Sequence, residues 1–271
     1  MYEKYYGLKE RPFNVTADPN FLFFSRKHRE AFDHLIYGIK ERRGFLEITG
    51  EIGTGKTTLC RALIGQLDPN TKTAFILNSN LPETQLLFAI VTDFGLNAKP
   101  KTKISLLTEL NKFLIEQLKA GSNVVLIIDE AQNLRSAQLE QVRMLSNLET
   151  DKDKLIQIVL VGQPELRDKL NSPELEQLRQ RISVRYHILP LDKAEINDYI
   201  MHRMHVAGSD GSVAFSPDAI SEIFEYSGGV PRLINLVCDR ALLLGFTMET
   251  KEITLEMIKR SVEEIEGFVR I

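Results

Sequence analysis

Residues 50–57 read Gly-Glu-Ile-Gly-Thr-Gly-Lys-Thr, the full G-x-x-x-x-G-K-[ST] spacing of a phosphate-binding loop. Glycines at 50, 53 and 55 permit a tight turn whose backbone N–H groups converge on phosphate oxygens. The expected cradle runs from Gly50 through Glu51, Ile52, Gly53, Thr54, Gly55, Lys56 and Thr57 to Thr58. In this motif Lys56 reaches the β- and γ-phosphates, and the Thr57 hydroxyl ligates Mg²⁺. A second pair of residues bears on hydrolysis. Asp129 and Glu130 follow directly on the apolar run 124–128. An Asp at the carboxyl end of such a run holds the Mg²⁺ hydration shell. The adjacent Glu is placed to polarise an attacking water. A chance glycine-rich turn and an acid pair capping a strand are the bland alternatives. The two motifs occurring together argue against both.

These residues need particular elements around them. Phe45-Leu46-Glu47-Ile48-Thr49 predicts a buried strand before the loop, and Thr58-Leu59-Cys60-Arg61-Ala62-Leu63-Ile64 a helix after it. That helix adds its positive N-terminus to the anion site. Further strands are predicted at 73–78, 124–128, 155–161 and 185–188, with helices near 26–42, 82–94, 103–120 and 136–148. Ser25 suits the cap of the first of these helices. Alternation of this kind predicts a parallel α/β sheet covered on both faces. One strand lies in sequence between the loop strand and the Asp-Glu strand, which fits the additional-strand class of P-loop NTPases. After Pro190 the pattern is helical, at about 192–207, 216–226, 231–247 and 254–266. The expected domains are an α/β nucleotide-binding domain over 1–190, with an aromatic N-terminal segment packed on it, and a small all-helical domain over 191–271.

The chain has 271 residues, 43% of them hydrophobic, and a net charge of −3. That length allows one large or two modest domains, and the charge gives no global signature for nucleic acid. Cys60 and Cys238 lie far apart in sequence and are expected to be buried free thiols. The N-terminus lacks the basic and apolar regions of a signal peptide, and no stretch reaches the roughly 20 apolar residues of a membrane span. A soluble, cytoplasmic chain is the expectation. The five histidines show neither triad nor ligand spacing; His202 and His205, three apart on a helix, suit a solvated face.

Several strings, in order along almost the whole chain, carry a resemblance. They are Tyr6-Gly7-Leu8 with Pro12-Phe13, Gly44-Phe45-Leu46, Asp129-Glu130-Ala131-Gln132-Asn133-Leu134, Met144-Leu145-Ser146-Asn147-Leu148-Glu149, Val161-Gly162-Gln163-Pro164-Glu165-Leu166, Leu178-Arg179-Gln180-Arg181-Ile182 and Gly229-Val230-Pro231-Arg232. With these the chain resembles the general secretion pathway protein A (ExeA) family of AAA+ ATPases. The resemblance implies a helical lid after the phosphate-loop core and ATP as the nucleotide. It also implies an oligomer that helps assemble the secretin of type II secretion, or related pilus and exopolysaccharide export machinery. Family members continue into a membrane span and a peptidoglycan-binding domain, whereas this chain stops at Ile271. It is therefore expected to be either a piece of such a protein or one of the family's soluble relatives.

The same resemblance assigns further roles. Gln163 ends the fourth strand, where a polar sensor-1 residue orients the attacking water. Arg181, and next to it Arg179, precede the fifth strand, where an arginine reaches the neighbouring subunit's nucleotide; partners Glu174 and Glu176 on a solvated face are the other reading. Arg232 opens a helix at the sensor-2 position, which contacts the γ-phosphate in cis. Its place in a first turn, where the helix dipole disfavours a cation, favours a bound anion. Asn78 either restrains Glu130 or ends a strand. A DNA-associated ATPase, such as a transposition regulator, is the alternative function. It would draw on Lys99, Lys101, Lys103, Arg42 and Arg43.

Overall fold

The computed structural model describes residues 1–77, 79–97, 99, 102–149 and 154–267. Its elements in chain order are α1 (Tyr2–Tyr5), α2 (Arg26–Lys40), β1 (Phe45–Gly50), α3 (Lys56–Gln66), β2 (Lys72–Ile76), α4 (Glu83–Asp93), α5 (Lys103–Lys119), β3 (Val124–Ile128), α6 (Ser136–Leu145), β4 (Gln157–Gly162), α7 (Pro164–Leu170), α8 (Glu176–Arg181) and β5 (Ile182–Ile188). They are followed by α9 (Ile196–Val206), β6 (Ala214–Phe215), α10 (Pro217–Ser227), α11 (Pro231–Thr247), β7 (Glu252–Ile253) and α12 (Leu255–Ile265). By packing, the chain forms two compact units.

One unit comprises residues 29–51 and 59–188. Its five strands are all parallel, in the order β2-β3-β4-β1-β5. Every residue of β1, β3 and β4 is buried, as continuous apolar runs in a sheet covered on both faces require. Phe45, Leu126, Ile158 and Leu160 face a core shared with α4 to α8. Leu46, next along β1, points the other way, where α2 packs so closely that a Cβ on Gly38 would strike the Leu46 side chain. The order places β4 between β1 and β3, so the strand leading into the phosphate loop and the strand carrying Asp129 are each bonded to β4 and not to one another.

The other unit comprises residues 1–28, 52–58 and 189–271. By packing, the N-terminal segment and residues 52–58 group with residues 189–271. Tyr2, Tyr6, Leu8, Phe13 and Phe21 share one buried core with Leu191, Tyr199, Ile234, Cys238 and Leu242. The aromatic N-terminal segment is thus packed, as its composition requires, and its partners are the C-terminal helices. Tyr6 Oη donates to the Leu242 carbonyl at 3.0 Å. Arg203 of α9 is 6% exposed. It donates to the Pro12 carbonyl at 2.6 Å and the Asn14 carbonyl at 3.1 Å, and its guanidinium stacks 4.8 Å from the Phe21 ring centre. The C-terminal region is not wholly helical, because β6 and β7 form a two-residue parallel pair. Helices α7 and α8 are additional to those expected, and β5 begins three residues earlier, at Ile182. Both cysteines are buried and free. Among the described residues no helix is long and apolar enough to cross a membrane.

Candidate nucleotide site

Lys56 is the first residue of α3 and is 6% exposed, with Thr57 beside it in the first turn. The turn before it depends on glycine. Gly53 has φ +82° and Gly55 φ +92°, both in the region that L side chains avoid. A Cβ on Gly53 would lie 2.7 Å from Arg232 Cβ. Two carbonyls of the loop are bonded from outside it. The Arg232 N–H donates to the Gly53 carbonyl at 3.2 Å. His28 Nε2 donates to the Thr54 carbonyl at 2.8 Å. Thr54 is fully buried, whereas Glu51 and Ile52 are exposed.

His28 is a contact of the loop that spacing does not reveal, since its partner lies 26 positions along the chain. The ring is 2% exposed, and burial holds its pKa below the ordinary histidine value against smaller pulls from the Thr54 carbonyl and Glu195. The neutral ring takes its tautomer from its neighbours. A carbonyl can only accept, so Nε2 carries the proton and Nδ1 accepts from Ser25 Oγ at 2.7 Å. Ser25 Oγ in turn accepts from the His28 N–H at 3.2 Å, capping α2.

Asp129 and Glu130 follow β3, and Asp129 is 2% exposed. Glu130 has φ +51° and ψ +37°, a left-handed backbone that is costly for a residue with a Cβ. Local bonds hold it there. Its N–H donates to Asp129 Oδ1 at 2.9 Å, and its carbonyl accepts from Ser79 Oγ at 2.8 Å. Its carboxylate accepts from the Gln163 amide at 3.2 Å and from the Gln132 amide at 2.5 Å. Gln132 Oε1 also accepts from the Gln163 N–H at 3.1 Å, so three side chains close one circuit across β3 and β4. Gly162 makes room for it, because a Cβ there would meet Gln132 Oε1 at 2.7 Å. Lys169 of α7 fastens the segment below by donating to the Gln132 and Leu134 carbonyls at 2.5 and 2.7 Å. Glu130 and Gln163, separated by 33 positions, are brought into contact. Gln132 and Lys169 go unseen by spacing alone, although Gln132 sits in the Asp-Glu-Ala-Gln string.

The remaining assignments divide. Arg232 is the second residue of α11 and is exposed, and its guanidinium has no hydrogen bond or ion pair among the described residues. Arg181 ends α8 and donates to Ser146 Oγ at 2.8 Å and to Asn147 Oδ1, so its partners are neither Glu174 nor Glu176. The Arg179 carbonyl accepts from Arg185 at 2.8 Å. Of the basic residues weighed for DNA, Lys103 pairs with Glu83 at 3.6 Å, and Arg43 lies over the Tyr37 ring at 5.7 Å. Asn78 and Lys101 lie outside the described residues. Each donor set, taken within its own unit, is of a kind that a magnesium nucleotide uses. Positive-φ glycines and a helix N-terminus with a lysine suit phosphate, and a hydroxyl and a carboxylate are the hard oxygen ligands that Mg²⁺ selects.

Residues 39–170 match the family described as an AAA domain. The chain is 44% identical to General secretion pathway protein A of Aeromonas hydrophila over 98% of its own length, and it spans 49% of that relative. Among solved structures it is similar to the Aeropyrum pernix ORC2 protein in ADPNP–ADP complexes. The TM-score there is 0.72 at 18% identity, covering 97% of this chain and 73% of that one. It is likewise similar to Cdc6p from Pyrobaculum aerophilum, with a TM-score of 0.67 at 20% identity, covering 88% of this chain and 66% of that one. At such identities the structural likeness is one of fold, and that fold is the P-loop AAA+ sheet.

Proposed function

We propose that this chain is an AAA-domain P-loop ATP hydrolase that couples Mg²⁺-dependent ATP hydrolysis to its own oligomerisation. In doing so it assists assembly of a secretion secretin or a related export machine. The observation that carries the reading is the Glu130 carboxylate held between the Gln163 and Gln132 amides. A carboxylate fixed at a strand end, beside a buried Asp, supports a reading of Glu130 as the base for water, and the phosphate-loop motif supports a nucleotide as substrate. The secretion assignment rests on the relative that shares 44% of the sequence, and we place the chain's work at the cytoplasmic face.

In this reading, the loop amides and Lys56 bind the β- and γ-phosphates. Thr57 and Asp129 are the residues that would hold Mg²⁺, which when bound would supply charge neutralisation to the phosphates. Glu130 takes the proton of the attacking water, and Gln163 orients that water. Arg232 reads the γ-phosphate within the chain. Arg181, with Arg179 as second choice, leaves its own chain's Ser146 and Asn147 and reaches the nucleotide of a second copy. Such an arginine contributes about 10³–10⁵-fold in rate, so an isolated subunit should turn over slowly.

The test is ATPase rate per subunit against protein concentration, for wild type, Arg181→Ala and Glu130→Gln, with and without duplex DNA. A rate that climbs with concentration and collapses in Arg181→Ala supports a composite site, and Glu130→Gln should bind MgATP yet not turn over. A flat concentration dependence with an unaffected Arg181→Ala refutes the trans arginine. Stimulation by DNA would replace the secretion reading with a DNA-associated one.

A further inference from the structure

Glycine gives the phosphate loop its shape, and the same freedom leaves it unlocked. The peptide between Thr54 and Gly55 turns over by changing ψ of Thr54 and φ of Gly55. Gly55, at φ +92°, tolerates either sign of φ with little steric penalty. A flip would reverse the direction of the Gly55 N–H, because C=O and N–H of one trans peptide point opposite ways. A loop that relies on that N–H as a phosphate ligand needs the peptide fixed from outside.

His28 meets the need. Its Nε2–H donates to the Thr54 carbonyl at 2.8 Å, on the side opposite to the Gly55 N–H. The ring cannot rotate to follow a flipped carbonyl, since Nδ1 accepts from Ser25 Oγ at 2.7 Å and the residue is 2% exposed. The Arg232 N–H does the same for the preceding peptide by holding the Gly53 carbonyl at 3.2 Å. We propose that His28 is a positioning residue for nucleotide binding: its bond to Thr54 fixes the Thr54–Gly55 peptide so that the Gly55 N–H is presented to a phosphate oxygen. The proposal rests on the loop being a nucleotide cradle. It assigns to the N-terminal end of α2 a direct part in phosphate affinity.

The experiment is titration with MgATP and, separately, with adenosine, of wild type, His28→Phe, His28→Gln and Lys56→Ala. Phenylalanine keeps the ring and lacks the donor; the glutamine amide restores a donor close to the Nε2 position. His28→Phe should bind MgATP about tenfold more weakly, which is the net worth of one hydrogen bond, and should bind adenosine unchanged. His28→Gln should return to within about threefold of wild type. If His28→Phe binds MgATP like wild type while Lys56→Ala does not, the positioning role is overturned and the nucleotide reading stands. If Phe and Gln lose affinity equally, or adenosine weakens as much as MgATP, the ring only packs and the proposal is likewise overturned. If Lys56→Ala binds as well as wild type, the cradle reading fails and takes this proposal with it.

Discussion

Gly53→Ala is the substitution that tests how the phosphate loop is built. A Cβ at this position would lie 2.7 Å from Arg232 Cβ, 3.1 Å from Val230 Cγ1 and 3.4 Å from Arg232 Cδ. Carbon atoms in contact sit about 3.5–4.0 Å apart, so loop and helix must separate by about 1 Å. The main obstacle is a Cβ, which has no rotamer to escape into. The Arg232 N–H bond to the Gly53 carbonyl, already 3.2 Å, is then stretched beyond use at a cost of about 1 kcal/mol. Holding alanine at φ +82° costs about a further 1–2 kcal/mol. The sum, about 2–3 kcal/mol, is about 30–150-fold in affinity. Calorimetric titration with MgADP is the assay, since a γ-phosphate contact from Arg232 then plays no part. Adding Arg232→Gly removes two of the three contacts and should recover about tenfold of the loss. Gly121→Ala, at φ +71° with open space around it, carries backbone strain alone and should leave affinity unchanged. Binding by Gly53→Ala within threefold of wild type, or a double variant no better than the single one, would refute the reasoning.

Gln163→Leu removes one of the two amides on the Glu130 carboxylate and should lower kcat by about 10²-fold with KM for MgATP little changed, read by steady-state kinetics. Arg203→Met frees the Pro12 and Asn14 carbonyls; faster proteolytic cleavage between residues 9 and 16, with an unfolding free energy lower by about 3 kcal/mol, is the expected outcome in limited proteolysis and urea titration. Burial lowers the His28 pKa, so the folded chain takes up this proton less readily than the unfolded chain. The stability from His28 is therefore complete above the ordinary value of 6.5 and is lost as pH falls through the lowered one. His202 acts in the same direction, through burial first. Urea unfolding from neutral to acid pH should show a shallower loss of stability in His28→Gln than in wild type.

The parts of this molecule that were legible in the sequence are those whose signal is local. The phosphate loop is a fixed spacing, and the buried strands are continuous apolar runs. Gln163 is singled out because it follows such a run. Contact between Gln163 and Glu130 follows from β4 lying against β3, a sheet order that strand positions in sequence do not give. The strand β5 reads short at its start because the exposed Ser183 breaks the apolar run at a sheet edge, where one side need not be apolar. Helices α7 and α8, of seven and six residues, are too short for a 3.6-residue period to register. The strands β6 and β7 contain only two residues each. His28 looks like any polar residue near a helix start until the chain brings Thr54 to it. The N-terminal aromatics declare that they are buried, but nothing near them says where.

That last pairing has a consequence during synthesis. Tyr2 bonds Asp239, and Tyr6 bonds the Leu242 carbonyl 236 residues later. At about 5–20 residues per second, the first aromatics leave the ribosome about 12–47 s before the helix that covers them exists. Residues 29–188, which carry all five strands of the larger sheet, are synthesised within that interval. The N-terminal segment meanwhile stands exposed with Tyr2, Tyr6, Phe13 and Phe21 uncovered, a stretch of nascent chain suited to a chaperone that holds apolar segments.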